Sequence, residues 1–416
     1  MSFQLNLEQL RKQAKERVRE QRAAGREVKL ADAQFELARE LGFASWPKLK
    51  AYVERIALEQ PFHVDLDYYE GRANGIASVD GVSVADARRD LAGRHGYSSW
   101  QQLRRHVEAM RSGDEPPTPF VLAYRAIEAD DRDRIAELVD RFPDLVVQRG
   151  TNGNDLFGMA GDPAIVSLLI ERGADVNRGN DYGWTKLHQA GYSNDCDLAR
   201  LLLAAGARTD LFARGDGGTP LIAALFWGNR EVAELLGRAP GNLRVAAGLG
   251  DLELIHGLVG TAAAGAHRGF YRPHGGFPAW QPSDDPQEVL DEALVWAAKS
   301  GRVEAIRLLH ELGARVDADP YRGTPLAWAA VNGHRDAVRA LVELGADPDQ
   351  RGTFGGPSHG QGVTAIQLAA QAGRREAVVT LLDLGADPLI LDELHGGSAL
   401  GWARAGGHGE LADVLP

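Results

Sequence analysis

The chain has 416 residues, too many for one ordinary hydrophobic core, so it must divide into domains or form an extended repeat array. Apolar residues make up 44%, charged residues 25% and aromatics only 7%, with 49 glycines, which suits short helices joined by many turns. The formal net charge is −12, and the acidity lies beyond residue 113, because the first 113 residues are slightly basic. An acidic body disfavours nucleic acid and membrane surfaces, whose recognition needs a positive field. The single cysteine, Cys196, permits no intramolecular disulfide and suits a reducing cytoplasm. No apolar leader opens the sequence and no run of about 18 apolar residues follows, so neither a secretory signal nor a membrane span is expected.

The first predicted elements are helices, and they come twice. Residues 30–56 and 84–110 match at a constant offset. Ala31-Asp-Ala33 pairs with Ala85-Asp-Ala87, and Gly42-Phe-Ala-Ser-Trp46 pairs with Gly96-Tyr-Ser-Ser-Trp100. Each copy reads as a helix, a Gly stop, a Ser N-cap (Ser45 or Ser99) and a second helix, with a further helix upstream. Trp46 and Trp100 are expected to pin these helices together. A duplicated helical domain over 1–112 is followed by a Pro-rich linker, 113–119.

From residue 120 to 416 another pattern recurs. Gly218-Thr-Pro-Leu221 and Gly323-Thr-Pro-Leu326 open helical stretches, as do Gly183-Trp-Thr-Lys-Leu187, Gly362-Val-Thr-Ala-Ile366 and Gly397-Ser-Ala-Leu400. Glu292 occupies the Thr place in one repeat. Gly-Ala-Asp or Gly-Ala-Arg closes the units at Gly173, Gly206, Gly313, Gly345 and Gly385. Thr can cap the first helix, and Pro fits its first turn, where a missing N–H costs nothing. Ala pairs let helices approach, Gly ends the first helix, and the second helix buries Leu and Val at helical spacing. One such pair cannot bury its own apolar face, so the units must stack.

These residues resemble ankyrin repeats, about nine units at ~33 residues each. The resemblance implies an all-α solenoid and, most often, an interaction scaffold. The duplicated N-terminal pattern is similar to the helical leader found ahead of ankyrin arrays in many bacterial proteins. A soluble cytoplasmic protein that binds a protein partner is therefore expected.

Function is sought where the repeat breaks. The connection between the fourth and fifth units is nearly deleted at Gly237–Gly241, and inserts stand at 260–287 and 350–362. The longer insert is expected to fold back across the gap. It carries Tyr271, Arg272, His274 and Trp280, and the shorter one Phe354 and His359, with the finger residues Tyr321 and Arg322 between. Tyr192, Phe226 and Trp227 fall where first helices face the concave groove. These aromatic and Arg residues are the expected binding set, since such side chains dominate interfaces. Trp296, Trp328 and Trp402 precede Ala-Ala or Ala-Arg and read as core.

A second reading is an enzyme or small-molecule site roofed by the inserts, with His274 or His359 as acid/base and Asp284 nearby. Its carboxylates, Asp284, Asp285, Glu288 and Asp291, could converge with His267. No HExxH, HxxxH or CxxC spacing, phosphate loop or nucleophile elbow is present, so no metal and no cofactor is expected. Asp285 can equally cap a helix beginning at Pro286, and His188 is placed to hydrogen-bond within its own repeat.

Overall fold

The computed structural model describes residues 7–23, 25–40, 45–47, 49–50, 59–114, 117–237, 241–269, 282–355 and 359–416. Two compact bodies result, Met1–Asp181 and Tyr182–Pro416. The first takes in both the leader and the first two repeats, so packing continues across the linker expected at 113–119. The reason is visible in its contacts. Strand Glu59–Gln60 pairs in parallel with Arg149–Gly150. Phe62, buried, lies 4.4 Å from the Tyr124 ring and 6.2 Å from that of Phe120.

Within this body helices Leu7–Ala23 and Leu30–Glu40 bury Leu10, Ala14, Leu37 and Ala38 around Leu49. Trp46 is partly buried against that cluster, as its expected pinning role requires. The second copy follows as Leu66–Asp80, Val84–Arg94 and Trp100–Ser112. Ser99 caps the last of these by accepting from the Gln102 N–H, and Trp100 is half-buried beneath Arg88.

The repeats follow as nine helix pairs among the described residues, an all-α array. Repeats one and two are Pro119–Glu128 with Arg132–Arg141, and Leu156–Met159 with Pro163–Glu171. In the second body, repeat three is Lys186–Ser193 with Cys196–Ala204, and repeat four Pro220–Phe226 with Arg230–Leu236. Repeat five is Leu243–Leu249 with Leu252–Leu258, and repeat six Pro286–Lys299 with Val303–Glu311. Repeats seven and eight are Pro325–Val331 with Arg335–Glu343, and Ala365–Gln371 with Arg375–Asp383. Repeat nine is Ala399–Ala405 with the 3-10 turn Gly409–Asp413. The expected caps form. Thr219 accepts from Ile222 N–H with Pro220 in the first turn, and Thr324 from Ala327 N–H with Pro325 following. His188 completes a capping box with Thr185, and its Nε2 meets Gly218 O at 2.9 Å, so it serves the fold. Burial holds that imidazole down at about 4, neutral at physiological pH.

One expectation needs correction. Glu292 does not open its helix. Asp285 caps it, accepting from Gln287 N–H, and Pro286 sits at its first turn, so helix Pro286–Lys299 begins well before Glu292. Glu292 therefore lies mid-helix and buried.

The irregular junction closes on itself. After repeat five, residues 266–269 return to the finger between repeats three and four. A Cβ on Gly217, whose φ is +78°, would stand 1.9 Å from His267 O, so only glycine allows this approach. Asn242 Nδ2 donates to Ala266 O at 2.8 Å, and His267 Nδ1 meets Asp216 Oδ1 at 2.7 Å. The start of the long insert thus crosses the gap left by the missing finger. Phe270, Tyr271, Arg272, His274, Phe277 and Trp280 lie outside the described residues.

Candidate functional site

A chain of aromatic rings runs along the inner helices and the fingers between them. Trp184 lies 6.3 Å from Tyr192, Tyr192 is 5.7 Å from Trp227, and Trp227 is 5.2 Å from Phe226. Phe226 then meets Trp296 at 6.1 Å and Trp328 at 5.7 Å, mostly edge to face, the favoured geometry for ring quadrupoles. Trp328 packs on Phe354 at 4.7 Å, Phe354 on His359 at 6.0 Å, and His359 on Trp402 at 5.7 Å.

This chain reveals how far the array is bent. Neighbouring helices pack about 8–10 Å apart, so repeats four and seven in a straight stack would stand roughly 25 Å from each other. Here Phe226 of repeat four touches rings from repeats six and seven. Gly228, at φ +71°, makes this possible, because a Cβ there would lie 2.4 Å from Lys299 O. Asn332 Nδ2 and His334 Nε2 each reach the same carbonyl at 2.8 Å.

The groove at this bend is filled from within. Lys299 is 1% exposed, and its Nζ lies 3.6 Å from the Trp328 ring centroid, 3.9 Å from Phe226 and 5.2 Å from Trp296. Burial holds its amine well below the ordinary lysine range. Beside it runs a buried ionic network. Glu292 accepts from Arg244 Nη1 at 3.0 Å and from Arg268 Nε, while Arg268 Nη2 donates to Glu288 at 2.7 Å. Arg244 also lies over Trp296, 5.0 Å from its centroid.

The expected binding set therefore separates. Phe226 is only 7% exposed and belongs to the filled groove, not to an open one, because the missing finger lets repeat four close onto repeats six and seven. Phe354 is also buried. It sits on a two-stranded hairpin, Gly352–Phe354 with Gly360–Val363. Arg322 pins that hairpin, donating through Nη2 to Phe354 O at 3.1 Å and Gly360 O at 3.0 Å, and through Nε to Gly355 O. Asp319 accepts from the Thr353 N–H and hydroxyl at 2.9 and 2.7 Å. Tyr321 is half-buried on the same finger. Trp296, Trp328 and Trp402 are core, as the sequence implies. An Arg322→Ala change should raise amide exchange across 352–363 while the first body is unaffected, since each lost hydrogen bond to a charged group is worth about 1.5–3 kcal/mol. Unchanged exchange in the hairpin would refute the pinning role.

What stays open is the end of the strip at repeats three and four. Tyr192 is 45% exposed and Trp227 38%. Above them Arg214, at φ 55°, lays its guanidinium over Trp184, 4.1 Å from the ring centroid. Burial pushes that guanidinium down to about 10. Arg214 and Trp184 escaped the sequence reading. The only signal for Arg214 was its position before Gly215 in a fingertip.

Among the described residues, the carboxylates and histidines proposed for catalysis do not converge. Asp291 pairs with Arg315, with 2.8 and 2.6 Å contacts, and Glu288 with Arg268. Asp285 is a helix cap, and His267 pairs with Asp216. His359 packs between Phe354 and Trp402, where burial lowers its pKa. His274 lies outside the described residues. Asp284 lines an open cleft of about 640 Å³ whose other walls include Leu243, Val259, Ala264, Val289 and Leu290, and no histidine faces it among the described residues. No group of three metal-ligating side chains occurs among the described residues, and no helix there is long and apolar enough to cross a membrane.

Comparison with known proteins agrees with this geometry. The family model for ankyrin repeats in three copies matches residues 156–242 and 243–352, and the single ankyrin repeat matches 361–393. Protein fem-1 homolog A-like of Mus musculus is 40% identical over 76 residues, 18% of this chain and 11% of that protein. Protein fem-1 homolog A of Homo sapiens is 33% identical over 147 residues, 35% of this chain and 20% of its own length. Protein phosphatase 1 regulatory subunit 27 of Mus musculus is 39% identical over 62 residues, 15% of this chain and 40% of that protein. The chain thus spans between 11% and 40% of the length of these relatives. They are animal proteins, so the comparisons give the expected bacterial placement no support. The matched segments cover more than half of the sequence, and the chain belongs to the ankyrin-repeat proteins.

Proposed function

We propose that this ankyrin array binds a protein partner in the cytoplasm, and that the partner docks on the concave face of repeats three and four. The observation that carries this reading is the exposed pair Tyr192–Trp227, the wet end of an aromatic strip that is elsewhere buried or half-buried. Large aromatic side chains on a groove are costly to leave in water and dominate binding energy when covered. The regulatory-subunit name of one relative fits a binding role in kind, over a match of two repeats' length. Of the sequence-derived binding set, Tyr192 and Trp227 provide this surface. Phe226, Tyr321, Arg322, Phe354 and His359 shape the array behind it.

The rival reading, acid–base chemistry on a small molecule, draws support among the described residues from the Asp284 cleft. Among the described residues that cleft offers one carboxylate on apolar walls, whereas general acid–base work needs a second titratable group within reach. The two readings are separated by a double change, Tyr192→Ser with Trp227→Ser, set against Asp284→Asn. Proteins that co-purify with the tagged native chain should be lost with the first variant and kept with the second. Retention of the same proteins by the Tyr192/Trp227 variant would reject the concave docking surface.

A further inference from the structure

Two arginines hold left-handed backbone positions at fingertips of the second body, Arg214 at φ 55° and Arg322 at φ 47°, each followed by glycine. Their guanidinium groups meet different surroundings. Arg322 is occupied by the chain itself: three carbonyls of the 352–363 hairpin accept from it, with Phe354 seated on Trp328 alongside. Asp319, on the same finger, adds an anion against the hairpin at Thr353. Among the described residues Arg214 has no such occupant. Its Nε is buried without a hydrogen-bond partner, and no carboxylate among the described residues pairs with it. Asp216, two residues on, is engaged by His267. What Arg214 does have is a flat partner beneath it, the Trp184 ring, and the exposed rings of Tyr192 and Trp227 along the same strip.

A guanidinium that has lost part of its water and gained no anion is poised for one. Removing a charge from solvent without compensation is costly, and a charge-assisted bidentate contact recovers more than a neutral carbonyl does. Stacking on tryptophan holds the planar fork in a fixed orientation, which favours a carboxylate over an unspecific counter-ion.

We propose that Arg214 anchors a carboxylate on an extended segment of the partner protein, with an apolar side chain of that segment seated on Tyr192 and Trp227. This rests on the concave docking reading above. The hairpin at Arg322 is the precedent inside the same molecule: an extended strand presents acceptors to the arginine and an aromatic side chain to the neighbouring tryptophan. At Arg214 no described residue supplies the anion, and the partner segment supplies it. The acidic charge of the whole chain, −12, opposes a polyanion, so the fitting segment carries one or two carboxylates beside aromatic or aliphatic residues.

The test is a selection of displayed random short peptides on the full chain, followed by titration of labelled synthetic copies of those enriched. Enriched peptides should carry Asp or Glu next to an apolar residue. Their affinity should fall by about tenfold or more with Arg214→Gln, and by a similar factor when the peptide's own acid is replaced by its amide. The second change leaves the protein untouched, so a folding defect cannot imitate it. Peptides that depend on Tyr192 and Trp227 but bind equally as acid and amide would overturn the carboxylate anchor and leave the docking face standing. Peptides indifferent to Tyr192, Trp227 and Arg214 alike would overturn both. An N-acetylated amino acid that binds as tightly as the peptides would overturn the protein-segment assignment in favour of a small carboxylate.

Discussion

Replacing Glu292 with glutamine should destabilise repeats five and six by about 3–5 kcal/mol. The side chain is almost wholly buried and lies between two arginines, Arg244 and Arg268, that are equally buried. Glutamine preserves the shape and removes the charge. Arg268 would keep Glu288, but Arg244 would lose the Glu292 carboxylate and remain in a low-dielectric site beside Lys299 and Trp296. A buried cation left uncompensated is far more costly than a missing surface pair. Glu288→Gln, whose side chain is a quarter exposed, should therefore cost much less. The double replacement of Arg244 and Glu292 by methionine should regain much of the loss, since apolar packing can substitute for a buried pair. Urea unfolding read by hydrogen exchange in peptides from 243–311 measures this by region. An effect of Glu292→Gln no larger than that of Glu288→Gln would contradict the account.

Glu59→Gln should stabilise the first body at alkaline pH and leave it unchanged under acid conditions. Burial and the nearby Asp181 raise the Glu59 carboxyl to about 7 in the folded state. Its Oε2 is buried without a hydrogen-bond partner, and Arg94 stands 3.9 Å from the other oxygen. A folded-state pKa above the unfolded value means that the native form holds the extra proton between about 4.3 and 7, so stability is lost as pH rises through that window. Glutamine copies the protonated form and escapes the loss. After discounting for solvent screening, the gain above pH 7 should be about 1–3 kcal/mol. His95 shows the opposite sign. Buried between Glu59 O at 2.9 Å and Thr151 Oγ1 at 3.0 Å, it is held down at about 4, and stability falls as pH drops from the usual histidine value toward that figure. The two windows overlap, so the opposing slopes offset one another in the native chain, and Glu59→Gln should leave only the loss on the acid side. Exchange rates in peptides spanning 59–114 and 143–160, followed against pH, would show it. Equal stability of variant and native chain above pH 7 would remove Glu59 from this role.

The repeats were legible because their physics is local. Thr219-Pro220 and Thr324-Pro325 mark helix starts through capping alone, and Gly333 marks a stop through backbone freedom. The irregular junctions were legible for the same reason, as departures from a spacing. The fate of Phe226 was not. Its exposure depends on how sharply the array bends, and the bend depends on Gly228 lying against Lys299, more than two repeats away along the chain. Lys299, Arg244 and Glu292 look like ordinary helix-surface residues in sequence. They become core only because the closed groove turns that face inward. Arg322 and Phe354 read as contact residues and prove to be mutual partners, since the hairpin that joins them has no periodic signature. Arg214 was invisible because its significance is the lack of an anion among the described residues, which only a structure can show.

The central claim is that partner contact is made at the open end of the aromatic strip. A photo-crosslinking side chain introduced singly at Tyr192, at Trp227 and at Arg200, which lies on the second helix of repeat three and is exposed, tests it most directly. Crosslinked protein adducts should form from positions 192 and 227 and be absent from 200. Adducts from 200 with none from 192 or 227 would contradict the account.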